Sequence, residues 1–198
     1  MIYFEDGPFL ELFTPPKISR FTLIAAEGFL GKAAAARFRL WGQQGEGFVE
    51  YAFESTSLTL ADEIARLRAA GIRTSRALSK SRRRLDNRKV RWQLTFPDSL
   101  ELPFVMSAYD PPDEQSETAR IHAYGAKRFS WLHFAHPLPQ DHSQEWERFI
   151  VGHLSAHGIS LSQGPRYVID RVNIDGLKWP GDPSKAHSAK ILPNIVSA

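Results

Sequence analysis

Two stretches of this chain run through the same order of apolar and polar patterning. In the first, Phe48 to Ser55 is aromatic and apolar, the composition of a strand. Leu60, Ile64 and Leu67 then fall on one helical face, behind Thr59 and Asp62 at capping-box spacing, with Gly71 placed to close the helix in a left-handed cap. Ser79 to Leu85 and Arg88 to Phe96 read as a hairpin turning at Asp86-Asn87, where Asn tolerates the positive φ of a tight turn. In its second arm Val90, Trp92, Leu94 and Phe96 alternate with Arg91, Gln93 and Thr95, the pattern of a strand apolar on one face. Leu102 to Tyr109 closes the set as a last strand.

The second stretch repeats this order. Phe129 to Ala135 is a strand; Trp146, Phe149, Ile150 and Leu154 line a helix ended by Gly158; Pro165 to Asn173 and Lys190 to Val196 are later strands, around a long loop from Gly176 to His187. Corresponding positions lie 81, 87 and 90 residues apart, so the second copy carries small insertions. A repeat this long is a duplicated subdomain rather than a solenoid unit. The fold class that follows is α+β, built from tandem βαβββ modules.

The rest of the chain divides around these modules: a hairpin over 1–16, a connector with a helix over 17–46, a module over 47–110, a linker and turn over 111–128, and the second module over 129–198. The hairpin turns at Asp6-Gly7 and is stopped by Pro15-Pro16. From Lys17 to Leu40 the signal is weak: Gly28-Phe-Leu-Gly31 breaks the pattern, and the alanine-rich Lys32 to Leu40 reads as helix. Gly42 to Gly47 is a loop that precedes a strand and so lacks the context of a phosphate loop.

Composition narrows the function. The 198 residues are 42% apolar and 24% charged, ordinary for a globular protein. No apolar run approaches the roughly 18–20 residues that span a bilayer, and no signal peptide is visible, so the expected location is cytoplasmic without a membrane partner. The absence of cysteine rules out disulfides, thiolate metal sites and cysteine nucleophiles. Net charge is +3, but Arg73 to Arg91 gathers nine cations against Asp86. No interleaved aromatic set or nucleic-acid motif accompanies them, so a solvated hairpin is favoured and no nucleic acid is expected.

Three motifs carry a resemblance. Gly7-Pro-Phe-Leu-Glu11-Leu-Phe resembles an aromatic-Leu-Glu-Leu strand. Arg82-Arg-Arg-Leu-Asp86-Asn-Arg-Lys-Val90-Arg-Trp92 resembles an Arg-x-x-Asp-Gly-x-x-x-Trp hairpin, with Asn87 in place of the glycine. Leu102-Pro-Phe104 followed by His122-Ala-Tyr-Gly125-Ala126 resembles a Leu-Pro-Phe strand and a His-Pro-Asn-Gly-Ala turn. Together they are similar to the glyoxalase-like domain proteins of the vicinal oxygen chelate superfamily, over about residues 1–130. The resemblance implies that the modules form cupped mixed or antiparallel sheets with helices on the outer face, a ligand in the cup, and a divalent metal held by His, Glu or Gln on the first and last strands of each module. It also implies an opening strand and helix of about 40 residues ahead of the Glu11 strand, which this chain does not show. A neighbouring sheet or a second chain, as in a homodimer, would then cover the hairpin edge.

Carried over residue by residue, the resemblance implies Glu11 as metal ligand or base and His122 as acid/base or substrate-positioning residue. Its remaining metal positions fall at Phe48 and at Met106 or Ser107, so the ligand set for a divalent metal is incomplete. Arg91 is the candidate anchor for a carboxylate or phosphate, with Gln93 and Thr95 beside it if Trp92, Leu94 and Phe96 pack under the helices. Arg84, Trp92 and Phe104 complete the candidate substrate site, with Tyr3, Phe9 and Trp131 as further wall residues. His133 and His136 point to opposite faces of a strand, and the His153/His157 pair sits on a helix packed outside the cup. The reading is a small-molecule-binding protein for an oxygenated or anionic ligand, with a lyase, isomerase or dioxygenase-type activity; the alternatives are a purely binding, resistance-type role or a dimer-forming structural remnant.

Overall fold

Helix α1 (Arg20–Leu30) begins where Ser19 accepts a hydrogen bond from the Thr22 amide, and ends at Gly31, whose φ of 102° only glycine adopts readily. The computed structural model describes residues 2–5, 9–11, 18–43, 46–84, 86–112, 117–136, 159–163, 168–178 and 191–193. Gly28 therefore lies inside a helix, where the sequence pattern suggested a break. Helix α2 (Lys32–Gln43) follows at once and buries Ala33, Ala34, Ala35 and Arg37. Its alanines let the backbone approach the sheet beneath.

That sheet is built from β1 (Ala52–Glu54), β2 (Leu78–Arg83), β3 (Lys89–Thr95) and β4 (Phe104–Met106), with helix α3 (Ala61–Ala69) between β1 and β2. The order is β1-β4-β3-β2, with β1 parallel to β4 and the other pairs antiparallel. The β-α-β-β-β order is the expected one, although β1 and β4 pair over three residues only. Val90, Leu94, Phe96, Met106 and Tyr109 pack with Ala33 and Ala34 of α2 into the core. Phe38 and Trp41 meet Phe96 edge-on, each at 5.8 Å between ring centres.

The capping of α3 departs from expectation. Leu60 occupies the N-cap, and no side chain caps the helix, so Thr59 and Asp62 form no capping box. Leu60 is fully buried, and its amide is satisfied by Gln93 Oε1 at 3.0 Å. Burial of Leu60 places its N–H against β3, and Gln93 supplies the acceptor. The C-terminal end is as expected: Gly71 has a φ of 82°, with Gly71 N–H bonded to the Arg68 carbonyl and Ile72 N–H to that of Leu67.

These elements form one compact unit, Pro15–Gln44 with Glu50–Glu114; the other comprises Met1–Thr14, Gly45–Val49 and Gln115–Ala198. In the second unit, Ile2 and Leu10 pair as an antiparallel bridge, in keeping with a hairpin. After a 3-10 turn (Glu117–Arg120) come β5 (Arg128–His136), β6 (Ile159–Gln163), β7 (Val168–Asp175) and β8 (Ile191–Pro193). Their order is β6-β5-β7-β8, with β5 parallel to β6, antiparallel to β7, and β7 parallel to β8. The sequence repeat thus gives two mixed four-stranded sheets whose strand orders differ. The nine-residue β5 pairs along both edges, which leaves the short β8 the outer edge of β7. The helix expected around Trp146 to Leu154 lies outside the described residues. Phe4 anchors the N-terminal segment against Phe129 and the His122 ring, at 5.0 and 5.2 Å between centres.

Candidate anion-binding site

The hairpin β2–β3 carries the cationic cluster, and its register decides which charges share a face. Arg84 N–H bonds the Arg88 carbonyl at 2.9 Å, Asn87 has a φ of 65°, and Arg83 stands opposite Lys89. Three residues therefore separate Arg84 from Arg88, instead of the tight two-residue turn expected at Asp86-Asn87. Ser81 then pairs with Arg91 and Ser79 with Gln93, while Arg82 pairs with Val90 and Lys80 with Trp92. Directly paired residues share a sheet face. One face thus presents Ser79, Ser81, Arg83, Lys89, Arg91 and Gln93.

Arg91 is exposed, and its backbone exchanges two 2.8 Å hydrogen bonds with Asp110, just before the cis Asp110-Pro111 bond. Among the described residues, neither Arg91 nor Lys89 has a carboxylate within ion-pair distance, although Asp110 flanks Arg91 on the same face. Arg83 instead binds the Asn87 side chain and carbonyl, at 3.2 and 3.3 Å. Asp86 is taken by Arg88 at 2.7 Å and lies 3.7 Å from Arg84; its bonds to Arg88 hold its carboxyl below the usual range. Like charges directly opposite on a sheet are destabilising, and Arg83 and Lys89 are such a pair.

The structure sorts the other candidates. Gln93 is half-buried, its carbonyl oxygen spent on Leu60 and its amide nitrogen without a partner among the described residues. Thr95 does not reach this open face: it is fully buried and donates to the Ser75 carbonyl at 3.0 Å, because the 72–75 segment covers that end of the strand. Trp92 and Phe104 belong to the opposite, α2-covered face, where Trp92 meets Tyr109 at 5.4 Å and Phe104 meets Phe96 at 5.8 Å. Arg82 lies on that side too, over the Tyr109 ring. Arg84 sits at the hairpin end beside Asp86.

Glu11 and His122 fall in the other unit. His122 is half-buried with Nε2 2.6 Å from the Tyr3 carbonyl, so that nitrogen carries the proton and donates it to a backbone acceptor. His133 Nε2 lies 3.0 Å from Asn173 Oδ1. Glu11 is exposed, and among the described residues no group of three His, Asp or Glu side chains is arranged to hold a metal. The described residues alone do not assemble the metal site the superfamily implies.

Sequence reasoning missed a buried cluster beside this sheet. Arg37 of α2 donates to the Glu50 carboxylate and to the carbonyls of Ser99, Leu100 and Leu102, at 3.2, 3.1 and 2.9 Å to the last three. Trp41 Nε1 donates to the other Glu50 oxygen. Burial pushes the Glu50 carboxyl up to about 7, with Arg37 and Trp41 opposing. An arginine in an alanine-rich helix, with Glu50 thirteen residues on, is the faint signal available.

A β-α-β-β-β sheet with an arginine-bearing hairpin, followed by a second mixed sheet, is consistent with the vicinal oxygen chelate class. A family model described as "Glyoxalase-like domain" matches residues 1–150, and the chain belongs to that family. No curated protein matches it. It is similar in fold to the crystal structure of a hypothetical protein from Staphylococcus aureus, at 14% identity and a TM-score of 0.60, over 88% of this chain and 78% of that one. No helix among the described residues is long and apolar enough to cross a membrane.

Proposed function

We propose that this glyoxalase-like protein binds a small anionic or oxygen-rich molecule on the Arg91 face of the β2–β3 hairpin. The observation that carries this reading is the unneutralised register: Arg83 opposite Lys89, with Arg91 next along the same face. A carboxylate or phosphate would relieve that repulsion. Arg91 offers it a bidentate fork, Lys89 a point charge, and Ser79, Ser81 and the Gln93 amide supply neutral donors. The arrangement recognises and holds an anion; a catalytic step would require groups beyond this face. His122, engaged with the Tyr3 carbonyl, and the exposed Glu11 are not assigned one.

Titration of isotope-labelled protein with oxalate and with inorganic phosphate at low salt tests this. Saturable shifts confined to the amides of Ser79, Ser81, Lys89, Arg91 and Gln93 are expected. Shifts that never saturate, or that scatter over every basic side chain, would show only diffuse charge attraction.

A further inference from the structure

Helix α1 is apolar on two sides. Leu23, Ala26 and Leu30 point inward, and Ala26 is its buried residue. On the opposite side Phe21, Ile24, Ala25, Gly28 and Phe29 form a second, exposed stripe at helical spacing: Phe21 is 84% exposed, Ile24 60% and Phe29 76%. A helix apolar on both sides is one that is covered on both sides. Nothing lies within 4 Å of where a Gly28 Cβ would stand, so this stripe has a notch at its centre.

The flank of the stripe carries two charges, Arg20 and Glu27, both exposed and without an ion-pair partner among the described residues. Seven residues apart, they stand on the same side of the helix. We infer that a second copy of this chain covers the stripe, its α1 packed antiparallel about a two-fold axis between Ile24 and Ala25. Such an axis keeps each flank beside its own counterpart. Arg20 of one copy then meets Glu27 of the other within about 3 Å along the axis, and the pair occurs twice. The same register sets Phe21 against Gly28 of the second copy, a large ring into the notch, and Ile24 against Ala25. A parallel two-fold pairing would set Phe21 against Phe21 and carry the Arg20/Glu27 flanks of the two copies to opposite sides, out of each other's reach. Charge complementarity and the notch therefore select one occupant and one orientation, independently of what the hairpin binds.

Sedimentation equilibrium of the full chain across a concentration series tests this. A monomer–dimer equilibrium is expected, on the order of 10 μM given a small apolar contact and two exposed ion pairs. Arg20→Glu should weaken it about tenfold by opposing Glu27, and adding Glu27→Arg should restore it to within about threefold. Gly28→Leu, which favours the helix itself, should abolish the dimer by filling the notch. Circular dichroism confirms that each variant keeps its helices. A wild-type chain monomeric at every concentration, with Phe21 shielded by the rest of its own chain, overturns the inference. So does a double charge swap no better than the single one.

Discussion

Replacing Arg37 by Met removes one partner of a buried ion pair while roughly keeping volume. Arg37 is 1% exposed, and its fork also satisfies the carbonyls of Ser99, Leu100 and Leu102. Stranding one member of a buried pair costs about 3–5 kcal/mol when that member is charged. Glu50 need not be charged at every pH. Its carboxyl rises from 4.5 to about 7 in the folded protein. The folded state thus holds a proton that the unfolded chain releases across that interval. Stability from Glu50 is complete below pH 4.5 and is lost as pH rises through about 7. An interval of about 2.5 pH corresponds to about 3 kcal/mol.

The two effects combine with a definite sign. At about pH 5, with Glu50 largely protonated, Arg37→Met loses mainly the carbonyl hydrogen bonds, about 1–3 kcal/mol. At about pH 8 it also strands a carboxylate deprived of its guanidinium, so its cost should grow by roughly 1–3 kcal/mol. Urea-dependent hydrogen exchange in peptides from α2 and β3 reads this unit's opening energy directly, even if the two units unfold separately. Glu50→Gln should flatten the wild-type pH slope between those limits. A cost for Arg37→Met that is the same at both pH values, or larger at acid pH, would refute the reasoning.

The remaining expectations are simpler to read. Gly125→Ala should lower the thermal midpoint, because its Cβ would stand 2.7 Å from the Gly176 carbonyl oxygen at a φ of 73°, a cost of about 1–3 kcal/mol. Ser75→Ala should destabilise by about 1–3 kcal/mol in urea unfolding, since the buried Phe96 amide loses the Ser75 Oγ acceptor at 3.0 Å. Asp110→Asn should tighten oxalate binding severalfold by calorimetry, because it removes the carboxylate flanking Arg91; an unchanged affinity would place the anion elsewhere.

The residue patterning made the first sheet legible, and the departures have local causes. Alternation along Val90 to Phe96 identified β3 and its apolar face because a half-buried strand must repeat every second residue. The hairpin turn was legible in Asn87, yet its length was not. A three-residue connection in place of two shifts the register by one position and exchanges the faces of β2 against β3. That slip puts Ser81, rather than Arg82, beside Arg91 and sends Arg82 over Tyr109. Helix α1 escaped notice because Gly28 lowers helix propensity and because its second apolar stripe blurs the single face that periodicity detects. Trp92 and Phe104 looked like wall residues because an aromatic in a core and one in a cavity have the same pattern. Only the seating of α2 on their face separates them. The difference in order between the two sheets was invisible for a related reason: the repeat specifies strands, while pairing partners depend on which edges those strands leave free.

Arg91 is proposed as the centre of an anion site rather than one cation among many. Calorimetric titration of oxalate into wild type, Arg91→Ala and Lys80→Ala at matched low salt separates the two. Both variants lose one positive charge from the same hairpin, but Lys80 pairs with Trp92 on the other face. We expect Arg91→Ala to weaken binding by about tenfold or more, the equivalent of a charge-assisted hydrogen bond, and Lys80→Ala to change it less than about twofold. Equal losses in the two variants would contradict a site at Arg91 and leave only the net charge of the hairpin.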